Sequence, residues 1–207
     1  MWLRASGFQH FWKGSVVHWF QRYQYISCWA CKKPVHDVLC QSCGKVQPAV
    51  RDKNYFKVLG QEEKFSLNTV DLQTRFIELQ RILHPDRFAN CSEEEKSYSA
   101  DQSAMVNEAY QVLLKPIQRA TYLLKVNGVT LDEVKLPQKF LIEMMDLNEQ
   151  VDTVTDKVKK TLLENIINIQ EAAMADLQKS FAEGNNVEAS KILAKIKYLD
   201  NLINRLK

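Results

Sequence analysis

Apolar residues recur at every third or fourth position through most of the chain after residue 54, and the alternation typical of strands is scarce. This spacing gives each segment one apolar helix face, so it predicts an all-α protein. The first clear stripe has 4,3,4 spacing and consists of Leu72, Phe76, Leu79 and Leu83. The second consists of Tyr98, Met105, Ala109 and Val112 or Leu113. Two such helices are expected to pair antiparallel around one core.

Capping and breaking residues predict where these two helices begin and end. Asn68 is a good N-cap for the first helix, and Asp71 places a carboxylate in its first turn. His84-Pro85-Asp86 ends that helix, because proline disfavours helical geometry in the residue before it. Ser92 is the predicted N-cap of the second helix. The polar triplet is therefore expected at the exposed tip of a helical hairpin.

The second half of the chain is predicted to form a three-helix bundle. Its helices are expected over residues 137–151, 152–183 and 186–207, with a break at Gly184-Asn185. A short helix over residues 116–128 completes the first unit. Residues 44–54 and 129–136 are predicted to be linkers, since Pro48 and Gly44 supply loop chemistry in the first of them.

Composition and charge exclude several classes of protein. With 6 Gly and 5 Pro in 207 residues, the chain has too few turn residues for a many-stranded β protein. No apolar run approaches the ~18 residues of a membrane span, so no membrane partner is expected. The net charge of +3 comes entirely from the first 27 residues, and the rest is balanced. A balanced chain lacks the basic stripe of a nucleic-acid binder, so no nucleic-acid partner is expected.

Residues 1–27 have the composition of a mitochondrial presequence. Arg4, Lys13 and Arg22 are spaced among aromatic and aliphatic residues, and this stretch contains no acid. A secretory signal would need an uninterrupted apolar centre, which polar residues such as Gln9 and Lys13 break here. The alternative is an aromatic-rich arm that packs on the domain or on a partner.

Four of the five cysteines form two close pairs, Cys28-x-x-Cys31 and Cys40-x-x-Cys43. Two such pairs can direct four thiolates at one tetrahedral centre, so residues 28–50 are predicted to form a tetracysteine knuckle with one structural metal ion. Zinc is expected before iron, since an all-thiolate site accepts either. Structural disulfides are disfavoured by the strain of a bridge within each pair, and no βαβ pattern indicates a thioredoxin-like site. Cys91 is expected to be a loop thiol.

The sequence does not indicate an enzyme. It offers no nucleophile–base pair, no glycine-rich phosphate loop and no His–carboxylate metal cluster. A competing class is a thiolate-metal redox or cluster-carrier protein that acts through the four cysteines. A third class, a zinc-ribbon nucleic-acid binder, would need basic or aromatic residues near the knuckle, and few are available: Trp29, Lys32, Lys33 and Lys45.

A His-Pro-Asp triplet between two amphipathic helices resembles a J domain, the module that stimulates ATP hydrolysis by seventy-kilodalton heat-shock chaperones. The flanking residues resemble those of the HscB branch, which is dedicated to iron–sulfur cluster assembly: Arg75-Phe76, Leu79-Gln80-Arg81, Arg87-Phe88, Asn107-Glu108-Ala109-Tyr110 and residues 119–124. A generic J domain carries cations where this chain has Gln73, Ile77 and Glu78. The resemblance therefore implies chaperone binding through the triplet and three arginines, namely His84, Pro85, Asp86, Arg75, Arg81 and Arg87.

Leu141 and Met145 form an apolar pair beside the main stripe of the first bundle helix, and Tyr198 lies off the stripe of the last one. From periodicity, they could belong to a wide core face or to a partner surface. In the HscB family, matching residues bind the iron–sulfur scaffold protein, of the IscU type. The resemblance thus implies a co-chaperone with a J domain over residues 54–128 and a scaffold-binding bundle over residues 137–207. Together with the presequence over residues 1–27 and the knuckle over residues 28–50, it predicts a mitochondrial matrix protein, with an additional cytosolic pool.

Overall fold

The computed structural model describes residues 26–50, 54–130 and 135–207, and almost all of its regular structure is helical. It opens with a two-stranded antiparallel sheet, β1 (Ile26–Ser27) and β2 (Pro34–Val35). The helices are α1 (Tyr55–Val58), α2 (Thr69–Ile82), α3 (Pro85–Phe88), α4 (Glu93–Leu114), α5 (Pro116–Val126), α6 (Gln138–Thr153), α7 (Asp156–Ala182) and α8 (Asn186–Leu206). The all-α prediction, with a helical hairpin, a three-helix bundle and a small tetracysteine knuckle, is confirmed.

Helices α2 and α4 form the predicted antiparallel hairpin. The Asn68 side chain accepts a hydrogen bond from the Val70 amide at 2.9 Å, and the Ser92 hydroxyl accepts one from the Glu95 amide at 3.3 Å. Both predicted N-caps are therefore confirmed. The stripe of α2 is buried at three of its four positions, while Phe76 is half-buried and stacks on Tyr110 of α4, with ring centroids 4.1 Å apart.

The buried face of α4 differs from the predicted one. Tyr98 and Met105 lie at its edge, and the face itself is centred on Val106, Ala109 and Leu113. In the first half of α4 the buried side chains are polar: Glu95, Ser99 and Gln102. Apolar periodicity cannot identify a face whose first half is polar. The face is buried because the knuckle and the Leu83 carbonyl supply partners for these side chains.

The prediction of a linker over residues 44–54 is wrong for its first half. Val46 and Gln47 are buried, and Val46 forms a β-bridge with Leu39. Val38 and Val46 belong to the same apolar cluster as α2 and α4. The knuckle therefore packs on the hairpin. Residues 51–53 lie outside the described residues.

Helices α6, α7 and α8 form the predicted bundle, with ends close to those expected. The α7–α8 turn is built around Gly184, whose φ of 70° is in the left-handed region that favours glycine. Asn185 then caps α8 by accepting a hydrogen bond from the Glu188 amide at 3.1 Å. One apolar cluster fills the part of the bundle where α6 packs on the end of α8: Phe140, Met144, Val151, Ile166, Leu199, Leu202, Ile203 and Leu206.

The hairpin and the bundle share a second apolar cluster, although residues 129–136 were predicted to separate them. This cluster continues from α2, α4 and α5 into the facing parts of α7 and α8, at Ala173, Leu177, Ala189, Leu193 and Ile196. At its edge, the Phe65 ring stacks on Phe181 with centroids 5.1 Å apart, and the buried Arg119 guanidinium lies 5.2 Å from the Phe65 centroid. A shared core fixes the two units relative to each other.

Candidate functional site

The His-Pro-Asp triplet lies where α2 gives way to α3. Leu83, the C-cap of α2, is buried, and Phe88 at the end of α3 is buried as well. Between these anchors the side chains of His84 and Asp86 are 58% and 91% exposed. The triplet is therefore presented to solvent on a fixed base.

The structure adds a helical turn to the predicted loop. His84 has extended backbone angles and caps α3, since its Nδ1 accepts a hydrogen bond from the Asp86 amide at 3.3 Å. Pro85 occupies the first helical position, where its fixed φ is favourable and its missing N–H costs nothing. The Asp86 carboxylate lies 3.5 Å from His84 Nδ1. The turn thus holds the two polar side chains of the triplet together.

The three predicted arginines do not share one environment. Arg81 and Arg87 are exposed, in the last turn of α2 and of α3. The Arg75 side chain is 35% exposed and lies 3.4 Å from a Glu78 oxygen and 3.9 Å from an Asp37 oxygen of the knuckle. Arg75 therefore contributes to contact between the knuckle and α2, while Arg81 and Arg87 are free to face a partner.

The four knuckle cysteines converge on one point. Their Sγ atoms all lie within 4.8 Å of one another, and two of the separations, Cys28–Cys43 and Cys31–Cys40, are 3.6 Å. Four sulfurs about 2.3 Å from one tetrahedral ion lie about 3.8 Å apart, so this donor set fits a metal such as zinc. All the cysteines are free thiols, which contradicts a disulfide framework.

The two cysteine pairs form equivalent turns, which explains the convergence. In the first, the Cys28 amide donates to the Lys33 carbonyl at 2.8 Å, and in the second the Cys40 amide donates to the Lys45 carbonyl at 2.9 Å. The residue after each pair has a positive φ: 62° at Lys32 and 72° at Gly44. Glycine adopts this conformation readily, whereas Lys32 adopts it despite its Cβ.

The electrostatics of the four thiols are unequal. Burial opposes ionisation of Cys28, but hydrogen bonds from the Cys31 and Ala30 amides and from the Cys43 and Gln47 side chains outweigh it and lower the pKa of Cys28 to about 6. The Lys45 amide favours the Cys43 thiolate, yet partial desolvation and the three nearby sulfurs raise the pKa of Cys43, which is itself exposed, to about 12. Four adjacent negative charges repel one another, so a bound cation is needed to hold all four thiolates.

The predicted apolar patch is exposed on the bundle. Leu141 and Met145 lie one turn apart on α6 and are 41% and 70% exposed, and Tyr198 on α8 is 43% exposed. The Tyr198 ring contacts the buried Phe140 ring, with centroids 5.9 Å apart. The alternative of a wide core face is therefore wrong. Periodicity missed Ile142, which is 51% exposed beside Leu141 and extends the patch.

In residues 26–50, 54–130 and 135–207, no helix has the length and apolar character needed to cross a membrane. Within the same ranges, the four knuckle cysteines form the one cluster of three or more His, Cys, Asp or Glu residues whose ligand atoms are close enough to share a metal.

Comparison with known proteins gives consistent relatives. Residues 136–207 match the family model described as the HSCB C-terminal oligomerisation domain. The human iron–sulfur cluster co-chaperone protein HscB is 31% identical over 192 residues, which cover 88% of this chain and 82% of the human protein. The co-chaperone protein HscB homolog of Vibrio cholerae is 30% identical over 161 residues, covering 74% of this chain and 94% of the bacterial protein.

Solved structures agree with these sequence matches. The crystal structure of human co-chaperone protein HscB superposes with a TM-score of 0.81 at 29% identity, covering 87% of this chain and 96% of the human one. Chaperone HscB from Vibrio cholerae gives a TM-score of 0.65 at 31% identity, covering 74% of this chain and 95% of the bacterial one. The chain belongs to the HscB family of iron–sulfur cluster co-chaperones.

Proposed function

We propose that the chain is an adaptor that brings an iron–sulfur cluster scaffold protein to a mitochondrial seventy-kilodalton heat-shock chaperone. The bundle binds the scaffold through Leu141, Met145 and Tyr198. The hairpin engages the chaperone through His84, Pro85 and Asp86, with Arg81 and Arg87 as the nearby cations and Arg75 as a further contact. Chaperone binding stimulates ATP hydrolysis by the partner, and cluster transfer follows.

The observation that carries this proposal is the shared core. The triplet is exposed on the hairpin and the apolar patch is exposed on the bundle, while one apolar cluster runs through both units. The two surfaces therefore hold a fixed distance and direction. A rigid adaptor can present a bound scaffold to the chaperone without the entropy loss that ordering a flexible hinge would add to binding.

The chemistry of each surface fits its proposed partner. Exposed Leu, Met and Tyr side chains are apolar anchors of the kind that dominate small protein interfaces. The triplet offers one carboxylate, one imidazole and adjacent guanidinium groups, which suit a polar docking site on a chaperone. Neither surface contains a nucleophile with an adjacent base, so the chemical step belongs to the partner.

A pull-down with separated variants tests the adaptor directly. The bait begins at Ile26, because β1 extends the knuckle into the predicted presequence. The bait is expected to capture chaperone and scaffold together from a mitochondrial extract. Asp86→Asn should lose the chaperone and keep the scaffold, and the Leu141→Ala, Met145→Ala, Tyr198→Ala variant should do the reverse. Loss of both partners by either variant would contradict two separate binding surfaces. So would retention of both partners by both variants.

The knuckle is proposed to hold one structural zinc ion. Two of its cysteines are buried, and the knuckle is packed on α4, as expected of a closed site. A redox or cluster-carrier role would place iron in the same thiolate set. Elemental analysis and the absorption spectrum of the purified chain separate the two: one colourless zinc per chain supports the structural role, and a visible thiolate–iron chromophore contradicts it.

A further inference from the structure

The knuckle covers one face of the first half of α4. Lys45 Nζ lies 2.6 Å from Glu95 Oε2, and the Trp29 and Tyr98 rings meet edge to face with centroids 5.7 Å apart. Further along, Gln102 Nε2 donates to the Gln47 carbonyl at 3.0 Å and to the Pro48 carbonyl at 3.3 Å. Glu95, Tyr98 and Gln102 are three and four residues apart, so they share one face of the helix.

These contacts provide the partners of buried polar groups. The Glu95 side chain is 6% exposed, and Gln102 is buried as well. A buried carboxylate or amide is tolerated only when it is paired. The knuckle supplies the cation that pairs with Glu95 and both carbonyls that accept from Gln102. Val38 and Val46 add apolar contact, since they belong to the cluster that α2 and α4 form. The knuckle is therefore a packed layer of the hairpin.

The contact reaches the segment that joins α3, which carries the His-Pro-Asp triplet at its start, to α4. Ser92 caps α4 by accepting from the Glu95 amide, and its hydroxyl also lies 3.3 Å from Glu95 Oε2. Lys45 binds the same carboxylate oxygen. The knuckle thus holds the capping residue pair of α4, and Ser92 stands only four residues after Phe88, the last residue of α3.

The same loops that hold the cysteines carry the docking residues. Trp29 follows Cys28, and Lys45 and Gln47 follow Cys43. Gln47 Nε2 donates to Cys28 Sγ at 3.4 Å and to the Lys45 carbonyl at 2.7 Å, which ties the docking loop to a ligand. Apart from these turns, the described part of the knuckle has only one pair of two-residue strands and one β-bridge. So small a unit depends on its metal for folding.

We propose that the metal of the knuckle is a conformational brace for the J-domain hairpin. With four thiolates on one ion, the two turns present Trp29, Lys45 and Gln47 to α4 and fix the start of that helix. Without the ion, the knuckle leaves α4, and the first turns of the helix open more often. The inference rests on the metal assignment of the proposed function but not on partner binding.

Hydrogen exchange of the full chain tests the brace, with zinc as the metal. Backbone amides over residues 96–102, which donate within α4, are expected to exchange at least about tenfold faster after chelation, and those over residues 193–203 at an unchanged rate. Restoring zinc should restore the protection. A chain from which zinc has been removed, as verified by elemental analysis, but whose α4 amides keep their protection would overturn the proposal. So would a chain that takes up no zinc.

Variants separate docking from metal binding. Trp29→Ala combined with Gln102→Ala removes two docking contacts and no ligand, so the zinc-loaded variant should retain its metal and still show fast exchange over residues 96–102. Gln41→Ala combined with Asp101→Asn is the matched control, because both side chains are exposed and lie outside the docking contacts. A zinc-loaded docking variant that exchanges like the control would show that the knuckle does not brace α4.

Discussion

Phe140 of α6 and Tyr198 of α8 meet edge to face, with their planes inclined by 81°. The contact joins the two outer segments of the bundle and leaves part of the Tyr198 ring in solvent. Leu141 follows Phe140 directly, so two residues of the patch, Leu141 and Tyr198, adjoin the buried Phe140 ring. A patch built on such a support keeps its shape before a partner arrives, which favours binding.

Replacing Leu141, Met145 and Tyr198 with alanine is expected to weaken scaffold binding at least about tenfold, which is about 1.4 kcal/mol. The melting temperature should fall only modestly, because none of the three side chains is buried and the main packing loss is the edge contact of Tyr198 with Phe140. Calorimetric titration and thermal melting on one sample measure both quantities. Val158→Ala with Val187→Ala is the matched control, since both side chains are exposed elsewhere on the bundle. A stable triple variant with normal affinity would disprove the patch.

The joint between hairpin and bundle is expected to be a major source of stability. Phe65 is buried between Phe181 and Arg119, so Phe65→Ala should lower the free energy of unfolding by about 3 to 5 kcal/mol. Urea unfolding measures this change. Val70→Ala, at an exposed apolar position of α2, should change it by no more than about 0.5 kcal/mol. Equal effects from the two substitutions would argue against a shared core.

Replacing Cys28 and Cys31 with serine is expected to release one metal ion per chain, because two of the four thiolates are lost. Native mass spectrometry counts the metal. Cys91→Ser is the control: its thiol lies outside the four-cysteine cluster, and it should leave the metal in place. Metal retained by the double variant would place the site elsewhere.

Residues 1–25 lie outside the described residues, so the predicted presequence is tested by targeting. A neutral reporter fused to residues 1–27 is expected to enter mitochondria. Replacing Arg4, Lys13 and Arg22 with glutamine should abolish import, because the prediction depends on positive charges in a stretch that has no acidic residue. A cytosolic reporter from the unchanged fusion would favour the packed-arm alternative.

Local signals predicted much of this fold correctly. Asn68 and Ser92 cap helices as expected, because a capping hydrogen bond forms between residues two or three positions apart. Spacing alone was also enough to group the four cysteines, since each pair closes its own turn. The exposed triplet followed from a proline between two apolar stripes. In each case the determining contacts are short-range.

Long-range contacts could not be predicted in this way. The burial of Glu95 and Gln102 depends on partners 50 and 55 residues away along the chain, which neither propensity nor periodicity records. The same holds for Phe65 and Phe181, whose rings stack and join the hairpin to the bundle. Residues 129–136, which connect the two units along the chain, look like a linker in the sequence. Glu95 lies on a helix face whose first half is polar, so no apolar pattern marks this part of α4 as buried.

In the proposed function, the hairpin stimulates ATP hydrolysis by a chaperone while the bundle holds the scaffold protein. The most direct measurement is the ATP hydrolysis rate of a purified mitochondrial seventy-kilodalton chaperone, with scaffold protein present and this chain added. The unchanged chain and Asp101→Asn are expected to raise the rate equally, and Asp86→Asn should leave it at the basal level while its circular dichroism and scaffold binding stay normal. Stimulation by Asp86→Asn equal to that by the unchanged chain, or no stimulation by either, would contradict the claim.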